Sequence, residues 1–185
     1  MTRRNHLQDL LEKHVPFDPL EADYKARMEQ LLSHGETAFA RSHFQPGHFT
    51  ASAFVLCPKR QNLLLIYHSK LERWLQPGGH VDPEDTDILA AAAREVSEET
   101  GLNNLQPIGT GLFDLDIHTI PARKKEPEHC HFDARILLQS STLDFQAGSD
   151  ALDAKWVPLE KVNAVESDAS VMRAVHKLLQ PGPLN

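Results

Sequence analysis

Gly78-Gly79-His80-Val81-Asp82-Pro83-Glu84-Asp85, then Thr86 to Ala93, then Arg94-Glu95-Val96-Ser97-Glu98-Glu99-Thr100-Gly101-Leu102 is the stretch around which this chain is organised. It spells a glycine turn, an acidic loop and an amphipathic helix stopped by a glycine. Asp85 or Thr86 suits the helix start, because a short oxygen side chain accepts from the unpaired first-turn N–H groups. Gly101 suits the left-handed position that closes a helix. Between them Leu89, Ala92, Ala93, Val96 and Thr100 fall on one stripe at helical spacing and are expected to face the core. Glu95, Glu98 and Glu99 are expected on the other side, neighbours at i+3 and i+4.

Those three glutamates oppose the helix that carries them. They sit in its last two turns, where the macrodipole is negative and an ill-placed charge costs about 0.3–1 kcal/mol. The like-charged pair Glu95/Glu99 adds about 0.2–0.5 kcal/mol. One reading is a solvated acidic face. The other is a seat for a hard divalent cation such as Mg²⁺, which takes a few oxygens, keeps several waters and is shared with substrate phosphates. The glycine turn upstream and Arg94 inside the cluster favour the second.

Gly79-x5-Asp85-x8-Arg94-Glu95-Val96-x-Glu98-Glu99-x-Gly101-Leu102 resembles the signature of the Nudix hydrolases, Gly-x5-Glu-x7-Arg-Glu-U-x-Glu-Glu-x-Gly-U, with U a bulky apolar residue. Asp85 stands where the family has Glu, and the run from there to Arg94 is one residue longer. Arg94 to Leu102 matches throughout, and the likeness extends over roughly Phe49 to Leu179. It implies an α+β fold, an α/β/α sandwich around a mixed β-sheet, with residues 47–185 as the Nudix domain; residues 1–46 fall outside the likeness and are expected to form a helical extension packed on that domain. It also implies a phosphoanhydride hydrolase using Mg²⁺, for which Mn²⁺ can substitute. Glu95, Glu98 and Glu99 would be metal ligands with the Gly78 carbonyl, and Arg94, Glu98 and Glu99 the catalytic set. Arg94 would orient a glutamate or touch phosphate; its alternative is a plain i,i+4 salt bridge to Glu98. Members of this family often draw a base from outside the signature, which makes Asp150 and Asp153 candidates beside the simpler reading of a solvated acidic loop.

Composition sets the outer limits. A chain of 185 residues suits one domain with a full-sized core. With 41% apolar and 24% charged residues it has the make-up of a soluble globular protein. A formal charge of −7 argues against a nucleic-acid surface, which would want a basic stripe. No apolar run reaches the length of a membrane span, and Met1-Thr2-Arg3-Arg4-Asn5-His6 leads into no signal-peptide core. Cys57 and Cys130 lack CxxC spacing, so a reduced, cytoplasmic chain is expected.

Two helices are expected over Arg3 to His14 and Asp18 to His34, separated by Val15-Pro16-Phe17-Asp18-Pro19. Their apolar stripes suit packing on the chain's own core, the expected arrangement, or a homodimer contact. Strands are read at His48 to Cys57 and Leu63 to Tyr67, joined by Pro58 to Asn62. Trp74-Leu75-Gln76-Pro77 leads into the glycine turn. After the helix, Ile108 to Ile120 and His129 to Leu138 alternate, with a polar loop from Pro121 to Pro127 between them, a candidate substrate flap. Ser140 to Asp153 reads as loop, Trp156-Val157-Pro158 as a short strand, and Ser167 to Leu179 as a last helix. The expected order is β-β-β-α-β-β-β-α.

Along His129-Cys130-His131-Phe132-Asp133, alternation puts His129, His131 and Asp133 on one face and Cys130 and Phe132 on the other. His80 and His118 can join the first. The leading reading is a polar pocket wall in which His80, His129, His131 and Asp133 touch substrate. A zinc site and a plain exposed strand face are the alternatives, and no spacing here demands zinc.

The function expected is cleavage of a nucleoside diphosphate linked to a moiety X, to NMP plus phosphorylated X. The partner would be a small nucleotide-type molecule, with neither nucleic acid nor membrane. A second reading is a non-catalytic module of the same fold that binds a nucleotide or a partner, though such a role needs no carboxylate cluster. A third, isopentenyl-diphosphate isomerisation, would use Cys57 or Cys130; Cys57 lies in an apolar strand and suits packing.

Overall fold

The structure, a computed structural model, describes residues 2–69, 71–123, 125–146, 148 and 151–180. Its helices are α1 (Arg3–Lys13), α2 (Pro19–Leu31), α3 (Ile88–Thr100) and α4 (Ala169–Leu178). The strands are β1 (Gly47–Leu56), β2 (Asn62–His68), β3 (Arg73–Leu75), β4 (Gly78–His80), β5 (Leu105–Pro107), β6 (Asp114–Ile120), β7 (His129–Ser140) and β8 (Ala151–Pro158). Short 3-10 segments occupy Leu32–Phe39 and Leu159–Ala164. The class is α+β, a mixed sheet with helices. The chain contributes residues 1–52, 79–92 and 111–136 to one compact unit, and 53–78, 93–110 and 137–185 to a second.

In the first unit, both N-terminal helices start on side-chain caps. Thr2 accepts from the Asn5 N–H, and Asp18 from the Glu21 N–H with Pro19 at the first helical position. The second helix ends at Leu31 and tightens into the 3-10 segment, which turns at Gly35 with φ 70°. Leu7, Leu11, Met28 and Leu31 are buried, so the apolar stripes do face a core. A polar tie reinforces them. The fully buried Glu21 carboxylate accepts from the Leu115 N–H of β6 at 3.1 Å and pairs with His14 Nε2 at 2.8 Å. His14 Nδ1 in turn meets the Leu112 carbonyl at 3.1 Å.

Strands β6 and β7 run antiparallel, from Asp114 opposite Arg135 to Ile120 opposite His129. The start of β1 lies beside the start of β7, where the Cys130 N–H donates to the Pro46 carbonyl at 3.0 Å. Gly47, at φ 153°, is required there, since a Cβ would lie 1.8 Å from the Cys130 carbonyl oxygen. The strand expected from Ile108 begins only at Asp114. Gly109 takes φ 81°, so residues after β5 turn before the ladder starts.

In the second unit, β2 pairs antiparallel with β8 from Asn62 opposite Pro158 to His68 opposite Ala151, and with β3. Its run Leu63 to Ile66 is buried throughout, as a continuous apolar strand should be. Strand β8 extends five residues before Trp156. Its alternation is masked in the sequence because Leu152 is exposed while Ala154 and Val157 are buried. α4 starts on Asp168, which accepts from the Val171 N–H, and buries Val171, Val175 and Leu178.

Candidate functional site

Helix α3 carries the carboxylates. Its cap is Asp87, whose Oδ1 accepts from the Ala90 N–H at 2.9 Å, rather than Asp85 or Thr86. Asp85 accepts from the Asp82 N–H at 2.8 Å and closes the acidic loop instead. Counting from the sequence placed the cap early because three adjacent oxygen side chains compete for that role. The buried face is Ile88, Ala91, Ala92, Val96 and Thr100, with Leu89 and Ala93 half-buried at its margin.

The other end of α3 is held by backbone. Gly101, at φ 70°, donates to the Ser97 carbonyl. The Thr100 and Glu99 carbonyls accept from the N–H groups of Gln146 and Gly148 at 2.8 and 2.7 Å. These satisfy carbonyls that a helix end leaves open. Gly148 comes so close that a Cβ would sit 2.0 Å from the Glu98 carbonyl oxygen. The backbone of the helix's last turn is thereby fixed.

Glu95 and Glu98 flank Arg94, whose guanidinium lies 3.0 Å from Glu95 Oε1 and 3.3 Å from Glu98 Oε2. Glu98 is exposed and Glu95 half-buried. Glu99 departs from the expected solvated side. It is buried, with Oε2 accepting from the Gly78 N–H of β4 at 3.0 Å. A backbone partner offsets the desolvation of this charge. Three carboxylates and one guanidinium within two turns leave net negative charge at a helix end that has no basic residue in its last turn. Such a donor set is all hard oxygen and fits a hard divalent cation. Asp153 is exposed in β8, opposite Tyr67, with Oδ1 bonded to the Ala154 N–H at 2.8 Å. Asp150 lies outside the described residues.

In the first unit five imidazoles gather. His48 in β1 lies with its ring centroid 5.1 Å from those of His80 and His129 and 4.8 Å from that of His131. His118 stands 5.4 Å from His131 and is exposed. Burial lowers the pKa of His48 to about 4 against the opposing hydrogen bond to the His43 carbonyl, with the His129, His43 and Arg41 side chains adding to the effect. Burial lowers His80 to about 4, helped by His48 and Arg41, and lowers His131 to about 2, helped by His118, His48 and His80. These three rings are neutral at pH 7.

Asp133 shares a strand face with His131 but does not join this group. It is buried, and its oxygens accept from Thr50 Oγ1 at 3.2 Å, Ser52 Oγ at 2.7 Å and Arg135 Nε at 2.8 Å. Arg135 also meets Asp114 at 3.1 Å and Asp116 at 3.2 Å, all buried. Burial alone would lower its pKa, but Asp116, Asp133 and Asp114 outweigh that and hold it above its ordinary value. His118 Nδ1 rests on Asp116 Oδ2 at 3.0 Å.

His48 and Arg135 are the two residues that reading along the chain missed. His48 looked like one member of an apolar strand, and Arg135 like the end of an alternating one. The available signal was paired spacing: Asp114-x-Asp116-x-His118 registers against His131-x-Asp133-x-Arg135 once the two strands are antiparallel.

A NUDIX domain matches over residues 47–178. The chain is 30% identical over 111 residues to the asymmetrical bis(5'-nucleosyl)-tetraphosphatase of Rattus norvegicus, covering 57% of this chain and 73% of that one. It resembles in fold a NUDIX-family hydrolase from Clostridium perfringens, with TM-score 0.54 and 24% identity over 71% of this chain and 95% of that one. The dihydroneopterin triphosphate pyrophosphohydrolase of E. coli is similar too, with TM-score 0.52 and 14% identity over 71% and 94%. Among the described residues no helix is long and apolar enough to cross a membrane. The family match spans the strands, the glutamate helix and the last helix alike, and the chain belongs to the Nudix hydrolases as a pyrophosphohydrolase.

Proposed function

We propose that this pyrophosphohydrolase depends on Mg²⁺, with Mn²⁺ able to substitute, and cleaves a nucleoside diphosphate linked to a moiety X into NMP and phosphorylated X. The observation that carries the proposal is the seating of Glu99 on the Gly78 amide, two turns of helix that also present Glu95, Glu98 and Arg94. Phosphoanhydrides resist attack because their oxygens are negative, so their hydrolysis needs charge neutralisation and positioning. Glu95, Glu98, Glu99 and the Gly78 carbonyl would hold the cation, which when bound neutralises phosphate charge and lowers the pKa of a water.

The chain's own groups do the rest. Arg94 orients Glu95 and Glu98 by direct pairing, and a guanidinium at that place can turn to a phosphate oxygen. Glu98, the exposed carboxylate, is the group free to reorient toward a reacting water. Asp150 and Asp153 remain candidates for a base drawn from outside the helix. His80, His129 and His131 would line a substrate wall; uncharged, His80 and His131 would hydrogen-bond there rather than attract phosphate by charge. Asp133 would brace that wall through Thr50, Ser52 and Arg135. Residues 1–46 serve as a helical extension packed on the domain. A nucleotide-type substrate fits the activity named for the rat relative, and a cytoplasmic setting fits Cys57 and Cys130, both free thiols.

The test is a panel of nucleotides, NDP-sugars and dinucleoside polyphosphates, with products separated by chromatography in Mg²⁺ and in EDTA. Release of NMP in Mg²⁺ alone is expected. Equal turnover in EDTA would remove the metal from the proposal, and products other than NMP would replace the substrate class.

A further inference from the structure

The structure assigns a second, nitrogen-rich metal site: we propose that His48, His80 and His131 bind one borderline transition-metal ion of the Zn²⁺ type. It goes beyond the Mg²⁺ reading, since its ligands are imidazoles and not the glutamates of α3. One ligand atom from each of the three rings lies within 4.8 Å of the others. That is the spacing from which a shared ion can be reached by small side-chain movements, given nitrogen–zinc distances of about 2.0–2.1 Å.

Hydrogen bonding has already sorted the ring nitrogens. His48 Nδ1 faces the His43 carbonyl at 3.2 Å, and a carbonyl only accepts, so Nδ1 carries the proton. Its Nε2 is then a lone pair, and that atom is buried with no hydrogen-bond partner among the described residues. An orphaned buried acceptor is costly unless something fills its place. The rings beside it are oriented through Nδ1 as well. His129 Nδ1 rests on the Pro127 carbonyl at 2.8 Å and His118 Nδ1 on the Asp116 carboxylate. Metal-binding histidines characteristically give their second N–H to a carbonyl or carboxylate, which fixes the ring and its tautomer.

A plain aromatic cluster would satisfy the stacking distances but not the unpartnered Nε2. All-imidazole donors suit Zn²⁺, Co²⁺, Ni²⁺ or Cu²⁺ and are poor ligands for Mg²⁺. Three such ligands leave a fourth position for water or a phosphate oxygen.

Protein stripped with EDTA and gel-filtered would be titrated with Co²⁺ in a large excess of Mg²⁺, following visible absorption. One equivalent is expected to bind with the intense bands of nitrogen-ligated, low-coordinate Co²⁺, and Zn²⁺ should abolish them. His131→Asn and His80→Asn should weaken binding by at least about tenfold, while Glu98→Gln leaves it unchanged. His80 is half-buried on a short strand, so that variant tests the site even if His131→Asn fails to fold, with far-ultraviolet circular dichroism as the check. Absence of the bands in the wild type, their loss to Mg²⁺, or equal affinity in His80→Asn and wild type would overturn the site. Loss in Glu98→Gln with retention in His80→Asn would place the ion on the glutamates instead.

Discussion

The Gly78 N–H donates to Glu99 Oε2 at 3.0 Å, joining the turn before α3 to the last turn of the same helix. This bond distinguishes Glu99 from Glu98. Glu99 is buried and holds backbone, while Glu98 is exposed and pairs only with Arg94 among the hydrogen bonds and ion pairs described for it.

Replacement of either by Gln is therefore expected to act on chemistry more than on folding. Each should lower turnover by at least ~10², about 2.7 kcal/mol at ~1.4 kcal/mol per decade. Gln at 99 keeps an oxygen for the Gly78 N–H, so its melting temperature should stay near the wild type. Glu99→Ala strands that N–H and should cost a further 1–3 kcal/mol, roughly the desolvation of an unpaired donor. Steady-state rates on the best substrate and urea denaturation check both halves. Near-wild-type turnover in Glu98→Gln and Glu99→Gln would sink the catalytic role of this helix.

Arg135 makes a different kind of demand. It lies among Asp114, Asp116 and Asp133 with almost no exposure. Arg135→Met leaves three buried carboxylates without their cation, and breaking a buried pair costs about 3–5 kcal/mol. A large fall in the urea midpoint is expected, partly recovered on combining it with Asp114→Asn. Arg135→Lys should recover little, because an ammonium cannot reach three carboxylates with the planar fork that Arg presents. Equal stability of Arg135→Met and wild type would show that the carboxylates are protonated or hydrated.

Much of this fold could be read along the chain. α1, the start of α2, β2 and α4 lie within a few residues of where caps and periodicity put them, because each closes on a local signal: Thr2, Asp18, an apolar run, Asp168. What escaped depends on pairing between distant segments. Strand β8 looks like an acidic loop until β2 lies beside it. Glu99 reads as solvated because helical spacing does not register the Gly78 amide arriving from β4. His48 joins the other imidazoles only when β1 lies beside β7, which alternation within one strand cannot show.

Acid should loosen the metal-free protein through those imidazoles. His48 and His80 titrate at about 4 and His131 at about 2 in the folded chain, against an ordinary 6.5. Below 6.5 the unfolded chain binds more protons than the folded one, so stability rises with pH. The stabilisation is present in full above 6.5 and is lost as pH falls toward 4. Arg41, His43, His118 and His129 lie near the same rings and add to the effect, while the hydrogen bond of His48 to the His43 carbonyl and the charge of Glu126 oppose it. Urea midpoints of EDTA-treated protein should therefore drop between pH 7 and pH 5, and His131→Asn should flatten that slope. An unchanged slope would mean that the rings charge without cost.

Stability and function should meet at the glutamates. Without a cation, Glu95, Glu98 and Glu99 crowd a helix end whose dipole is already negative, and among the described ion pairs Arg94 offsets Glu95 and Glu98. An ion that binds only the folded state stabilises it by RT ln(1 + [L]/Kd), about 2.7 kcal/mol at a hundredfold excess over Kd. The wild type is thus expected to melt higher in millimolar Mg²⁺ than in EDTA. Glu98→Gln should lose most of that increment. In EDTA the same variant should match the wild type within a few tenths of a kcal/mol, because an exposed i,i+4 pair with Arg94 is worth roughly 0.3–0.5 kcal/mol and its loss also relieves repulsion. NaCl at equal ionic strength should not reproduce the Mg²⁺ shift, since screening acts between charges without coordinating them. His80→Asn should keep the shift in full, which separates the carboxylates from the imidazoles. If Mg²⁺ raises wild type and Glu98→Gln equally, the three glutamates are a solvated acidic face, and Mg²⁺ must be held elsewhere.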